Sequence, residues 1–153
     1  MADKLSKLFA TFFYVGYFPV ASGTAGSAIG LLLYVLLRNN VWLYSLVTIL
    51  ITGLGFLVSS RAERVFGRHD PGEIVIDEVA GILIALFLFP FKFPLAILAF
   101  FIFRGLDMVK PPPADRLEKL PGSLGIMLDD IVAGVYTFLV FQIVFRSISF
   151  IIS

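Results

Sequence analysis

The 153-residue chain contains no cysteine. Disulfides, thiolate nucleophiles and cysteine-ligated metal centres are therefore excluded, and cysteine usage carries no information about compartment. Charge is scarce as well. Asp, Glu, Lys and Arg make up 15% of the residues, where a soluble domain carries roughly a quarter. The net charge is +1, so no global basic field directs the chain to nucleic acid. There is one histidine, His69. The opening residues, MADKLSKLFATFF, place two lysines before an apolar stretch but offer no clean small-residue cleavage site, so no removable signal peptide is expected.

Apolar residues are abundant, at 59%, with a mean hydropathy of +0.97. The composition predicts an integral membrane protein forming one domain over residues 1–153. Its expected fold is an all-α bundle of four to five membrane-embedded helices with polar loops on one side. Residues 5–20 are apolar but interrupted by Gly16 and Pro19, and are expected to be interfacial or re-entrant. A small-residue loop over Gly23, Thr24, Gly26 and Ser27 leads into an apolar helix, and Arg38–Asn40 makes a polar turn. Residues 42–60 form a spanning run, 61–73 a polar basic loop, and 74–89 a third run opened by Asp77 and Glu78. A tight turn at 90–94 leads to a returning run over 95–109. Residues 131–152 form the last run, preceded by Asp129 and Asp130.

Basic residues in short loops set orientation. Lys4, Lys7, Arg61, Arg64, Arg68, Arg104, Lys110, Arg116 and Lys119 fall on one side, and only Arg38 and Lys92 on the other, with Arg146 ambiguous. The first side is expected to be cytoplasmic. Every acidic residue falls on that side too, so any chemistry is expected at the cytoplasmic face. A short internal echo supports this. Asp77-Glu-Val-Ala-Gly81 is similar to Asp130-Ile-Val-Ala-Gly134, and in each the glycine lies one turn beyond the aspartate on the same helix face. Glycine there permits close helix approach, predicting two packed helices that bring carboxylates to one point.

Asp77, Glu78, Asp107, Asp129 and Asp130 near one membrane surface would repel one another unless a hard divalent cation bound them. Mg²⁺ suits such oxygen ligands together with a substrate phosphate. The plainer role for an acidic helix start is capping. Arg104, Asp107 and Lys110 are spaced by three and share a helix face. The arginine fork and the lysine ammonium suit phosphate oxygens, although an Arg104–Asp107 ion pair with Lys110 snorkelling is the structural alternative. The small residues Gly23, Thr24, Gly26 and Ser27 suit an anion site at a helix N-terminus. His69 is a candidate general acid or base, or simply a solvated loop histidine. The combination points to a phosphoryl-group site.

Four blocks resemble the phosphatidylglycerophosphatase A family: Gly23-Thr24 with Gly26-Ser27; His69-Asp70, Gly72, Ile74-Val75, Asp77-Glu78 and Gly81; Phe103-Arg104, Asp107, Lys110-Pro111 and Pro113; and Gly125-Ile126-Met127, Asp129-Asp130 and Ala133-Gly134. Ser22 replaces the family's usual proline, and Gly122-Ser123 its usual glycine pair. The resemblance implies Mg²⁺-dependent hydrolysis of phosphatidylglycerophosphate to phosphatidylglycerol and inorganic phosphate, at the cytoplasmic face of a bacterial inner membrane. Asp77, Asp107, Asp129, Asp130 and His69 would then be catalytic. Asp77, Glu78, Asp107, Asp129 and Asp130 would hold metal, and Arg104, Lys110, Gly23, Thr24, Gly26 and Ser27 would bind phosphate. The nucleophile is open between a water and an enzyme carboxylate. The competing class is a small transporter or channel using the carboxylates as an ion pathway, whose acidic groups should lie at mid-membrane.

Overall fold

A computed structural model describes residues 2–89 and 92–152, and side chains as far as Val144. The chain forms α1 (Ala2–Ala10), a 3-10 turn (Val15–Tyr17), α2 (Ser22–Leu37), α3 (Val41–Phe66), α4 (Ile76–Ala85), α5 (Phe93–Val109), α6 (Ala114–Leu117) and α7 (Ser123–Ile152), with no strand among the described residues. The expected turn at 90–94 begins at Pro90 and Phe91, which lie outside the described residues.

The central element is α4. Ile76, Val79, Ala80, Ile82, Leu83 and Ala85 are fully buried, and α2, α3, α5 and α7 pack around them. The expected run over 74–89 is therefore helical only over Ile76–Ala85. Leu88 takes a left-handed conformation (φ +53°), and Phe89 precedes Pro90, a position biased away from helix. Ending a helix inside a bundle leaves carbonyls without partners. Tyrosines from two neighbours supply one partner for α4 and one for the chain just beyond it. The Tyr44 hydroxyl donates to Leu83 O (2.5 Å) and the Tyr34 hydroxyl to Phe89 O (2.9 Å). At about 15 Å, α4 is too short to cross a bilayer by itself.

Among the described residues, two helices are long and apolar enough to span a membrane: α3, and α7 over Ser123–Val144, against the four to five expected. Most of α3's apolar surface faces outward, with Leu46, Ile49, Leu50 and Leu57 exposed. The same helix extends past the expected boundary at residue 60 to Phe66, because Arg61–Phe66 continue the hydrogen-bonded turns until Gly67 caps them with φ +71°. Residues 5–20 hold only the later part of the nine-residue α1 and a three-residue turn, neither able to span, with Phe13, Tyr14, Tyr17 and Phe18 exposed. Exposed aromatics of this kind suit a membrane–water interface.

The echoed glycines mark a crossing where the backbones of α4 and α7 meet. A Cβ on Gly134 would lie 2.4 Å from the Gly81 carbonyl oxygen, and one on Gly81 would lie 2.8 Å from Asp130 O. Both positions must be glycine for α4 and α7 to meet backbone to backbone. The start of α2, the start of α4, the end of α5 and the first turns of α7 consequently gather at one end of the bundle.

Candidate active site

Five carboxylates converge at that end. Oxygens of Asp77, Glu78 and Asp130 lie within 4.8 Å of one another, as do oxygens of Asp107, Asp129 and Asp130. The two groups share Asp130. Asp77, Asp129 and Asp130 are buried, at 7%, 6% and 2% exposure. Their helices explain the convergence. Asp77 and Glu78 occupy the first turn of α4, while Asp107 is in the last turn of α5.

Asp129 and Asp130 were expected to open a helix. They instead lie within α7, which begins at Ser123. That earlier start is fastened by a reciprocal bond. Ser60 N donates to Ser123 Oγ (2.8 Å), and Ser123 N donates to Ser60 Oγ (2.6 Å). Capping therefore cannot explain this acidic pair. Ser123 is one of the two departures from the family pattern. The other, Ser22, also bridges segments, donating to Gly72 O at 2.5 Å and joining the start of α2 to the loop before α4.

Several buried polar atoms have no hydrogen-bond partner: Asp77 Oδ1, Glu78 Oε2, Asp130 Oδ1 and Arg104 Nε are among them. Leaving such groups unsatisfied costs about 1–3 kcal/mol each, and more when they are charged. Three orphaned oxygens in one triad, with an all-oxygen donor set, fit a hard divalent cation.

Arg104 Nη1 donates to Asp107 Oδ2 at 2.6 Å, and both side chains are mostly buried. This is the ion pair weighed from the i,i+3 spacing. It leaves the rest of the guanidinium facing α2. A Cβ on Gly23 would lie 3.1 and 3.2 Å from the two Arg104 terminal nitrogens and 2.3 Å from Glu78 Oε1. Gly23 therefore adjoins the site. The stretch read as a loop is the first turn of α2, whose N-cap is Ala21. The first intrahelical bond runs from Ala25 N to Ala21 O, so the amides of Ser22, Gly23 and Thr24 precede it. Gly26 packs against Val75, Ser27 donates to Gly23 O (2.9 Å), and Thr24 is exposed. The last three thus shape or border the helix start, and Gly23 makes the close approach.

Lys110 sits at the end of α5, where its Nζ lies 2.7 Å from both Asp129 Oδ2 and Glu118 Oε2. Burial pulls its pKa down, but the bonds to Asp129 and Glu118 outweigh this and hold the ammonium above the ordinary lysine value. The lysine is committed to carboxylates, and Glu118 is a site neighbour that sequence reasoning missed. Asp70 is a second. Crowding by the surrounding protein raises its pKa, Lys110 opposes that rise, and Asp107 adds to it. The signal for Asp70 was its place in the His69-Asp70 block. For Glu118 there was none, since its meeting with Lys110 depends on the turn through α6. His69 is exposed, with Nδ1 2.7 Å from Glu63 Oε1 on α3. It belongs to neither carboxylate group.

A helical fold with two helices long and apolar enough to span a membrane, carrying a cluster of five carboxylates beside an arginine, has the features that a membrane-associated phosphatase would need. Comparison with known proteins narrows this class. The family model for phosphatidylglycerophosphatase A matches residues 8–145, and the chain belongs to that family. It is 39% identical to phosphatidylglycerophosphatase A of Escherichia coli, covering 84% of this chain and 76% of that protein. It is 36% identical to the Haemophilus influenzae protein of the same name, covering 87% and 84%. A provisionally named phosphatidylinositol-3-phosphatase of Bacteroides thetaiotaomicron is 35% identical over 91% of this chain and 92% of its own length. No solved structure matches the chain.

Proposed function

We propose that the protein hydrolyses the terminal phosphomonoester of phosphatidylglycerophosphate, yielding phosphatidylglycerol and inorganic phosphate as a step of phospholipid synthesis. The observation that carries this reading is the meeting of five carboxylates, three with an orphaned oxygen, beside Arg104 and the start of α2. Asp77, Glu78, Asp107, Asp129 and Asp130 are the residues that would hold Mg²⁺. Bound there, the ion would supply Lewis-acid polarisation of the phosphoryl oxygens.

The chain's own residues do the positioning. Arg104, pinned by Asp107, presents its remaining donors toward Gly23, and the leading amides of α2 add a second set of donors for the phosphate oxygens. Lys110 holds Asp129 in place through its ion pair and keeps one cluster carboxylate from turning outward. The glycerol and acyl chains stay outside this polar end.

Membrane placement follows the same logic. We infer that α2, α3, α5 and α7 cross the bilayer, with α1 lying at the cytoplasmic interface and α4 enclosed among the others. The carboxylates then sit at the inner membrane's cytoplasmic face, which argues against a mid-membrane ion pathway. The test is inorganic phosphate release by purified protein on short-chain phosphatidylglycerophosphate, with Mg²⁺ or with chelator. Phosphatidylinositol 3-phosphate serves as the competing substrate suggested by the Bacteroides relative. Release that needs Mg²⁺ and favours phosphatidylglycerophosphate supports the reading. Preference for the inositol lipid, or activity in chelator, overturns the corresponding part.

A further inference from the structure

An apolar groove of about 230 Å³ runs between α2 and α5. Ala28, Leu31, Leu32 and Val35 form one wall, and Phe93 and Ile97 the other. These are the two helices whose ends carry Gly23 and Arg104. At 1.5 Å rise per residue, the α2 wall lies about 8–18 Å along its helix from Gly23, and the α5 wall about 10–16 Å from Arg104. The groove therefore begins roughly one and a half turns beneath the phosphate-facing pair and descends away from the charged end. Its floor includes Ala96, which is buried, while Ala28, Leu32 and Phe93 are exposed at its sides. It is thus open laterally and closed behind.

We propose that this α2–α5 groove holds one acyl chain of the lipid substrate and so aligns the headgroup phosphate with Arg104 and the start of α2. The inference rests on the lipid-phosphatase reading above. Its occupant is argued from continuity. A lipid whose phosphate is held beside Arg104 and the start of α2 must lead its chains away from the charged end, and the crevice between α2 and α5 is an apolar path that starts beneath that point. A second apolar groove, lined by Thr48, Ile84, Phe87, Val135, Phe138 and Leu139, opens between α3, α4 and α7. Neither α2 nor α5 borders it, so it is not in line with the Gly23–Arg104 pair. A chain in the α2–α5 groove also gives the small residue Ala28 a role, since a larger side chain there would fill the upper end.

Two measurements test this. The first is turnover of dioleoyl against dihexanoyl phosphatidylglycerophosphate in mixed micelles by wild type, Ala28→Phe and Ile97→Trp. Filling the groove should raise KM for the dioleoyl lipid at least fivefold more than for the dihexanoyl lipid. An equal effect on both, or none, overturns the proposal. The second needs no turnover. Phosphatidylglycerophosphate bearing a diazirine in one acyl chain is photolysed with wild-type protein and the adducts are mapped. Adducts concentrated on Leu31, Leu32, Phe93 and Ile97 are expected. Labelling spread over all lipid-facing residues, or confined to Phe138 and Leu139, overturns the groove. Phosphate release with label elsewhere sinks the groove and leaves the function standing. Label in the groove without phosphate release sinks the function and leaves the groove.

Discussion

Two glycine-to-alanine substitutions should fail in opposite ways, because the added methyl meets different kinds of neighbour. At Gly134 the new Cβ would lie 2.4 Å from the Gly81 carbonyl oxygen, a backbone atom fixed within α4. Nothing can swing aside, so α4 and α7 must separate, and overpacking of this kind costs about 1–3 kcal/mol. At Gly23 the Cβ would lie 2.3 Å from Glu78 Oε1, the mobile end of a side chain, and 3.1 Å from the nearer Arg104 nitrogen. Glu78 can rotate away with little effect on folding, and the gain in helix propensity offsets part of any strain, so stability should stay within about 1 kcal/mol of wild type. Function should not survive as well. Displacing a carboxylate and the guanidinium by about 1 Å costs on the order of 10²-fold in turnover, which corresponds to about 2.7 kcal/mol in the barrier. Thermal unfolding in detergent and phosphate release, measured on the same preparations, separate the two outcomes. Gly23→Ala with wild-type turnover would remove α2's first turn from the site. Equal loss of stability in both variants would show that Glu78 is packed immovably and refute the reasoning.

Further outcomes follow from the same geometry. Adding Mg²⁺ at about 100 times its Kd should stabilise the wild-type protein by about 2.7 kcal/mol; Asp130→Asn should abolish both that shift and turnover while unfolding no earlier in chelator, and a retained Mg²⁺ shift would exclude Asp130 as a ligand. Lys110→Met should destabilise by about 1–3 kcal/mol, discounted for partial exposure, because Asp129 is left buried without its partner. Since the folded-state pKa of Lys110 is raised, its contribution is complete below the ordinary lysine value of 10.5 and fades as pH climbs above it. The stability gap between wild type and Lys110→Met should therefore narrow above that pH, and a gap that widens would contradict the ion-pair account. His69→Gln should retain turnover within about threefold, whereas a loss of 10²-fold or more would restore it as a general acid or base. Because the chain has no native cysteine, single cysteines report topology without background. Asn39→Cys should react with an impermeant maleimide outside intact cells, and Lys119→Cys only after permeabilisation; the reverse pattern would invert the orientation.

Much of the candidate site's geometry was legible because its signals are local. The i,i+3 spacing of Arg104 and Asp107 implies a shared helix face, and the structure pairs them at 2.6 Å. The Asp-to-Gly echo implied two helices meeting closely, and Gly81 and Gly134 do meet. What misled were the boundaries. Composition changes at residue 60, yet α3 continues to Phe66; composition turns apolar at residue 131, yet α7 begins at Ser123. Helix ends depend on where backbone groups find partners, and those partners, Ser60 for Ser123 and Tyr44 for Leu83, come from distant segments.

By itself, then, the amino-acid order determined the apolar character and the helical class, which follow from composition and spacing, and it singled out the carboxylates that cluster, because they are scarce charges in an apolar chain. Tertiary structure alone decided that α4 is short and enclosed, that Asp129 and Asp130 lie inside a helix, that Lys110 serves Asp129 and Glu118, and that His69 stands apart with Glu63. Those facts depend on which helices meet and at what depth. Contacts between residues far apart in the chain set that depth, and no local periodicity encodes it.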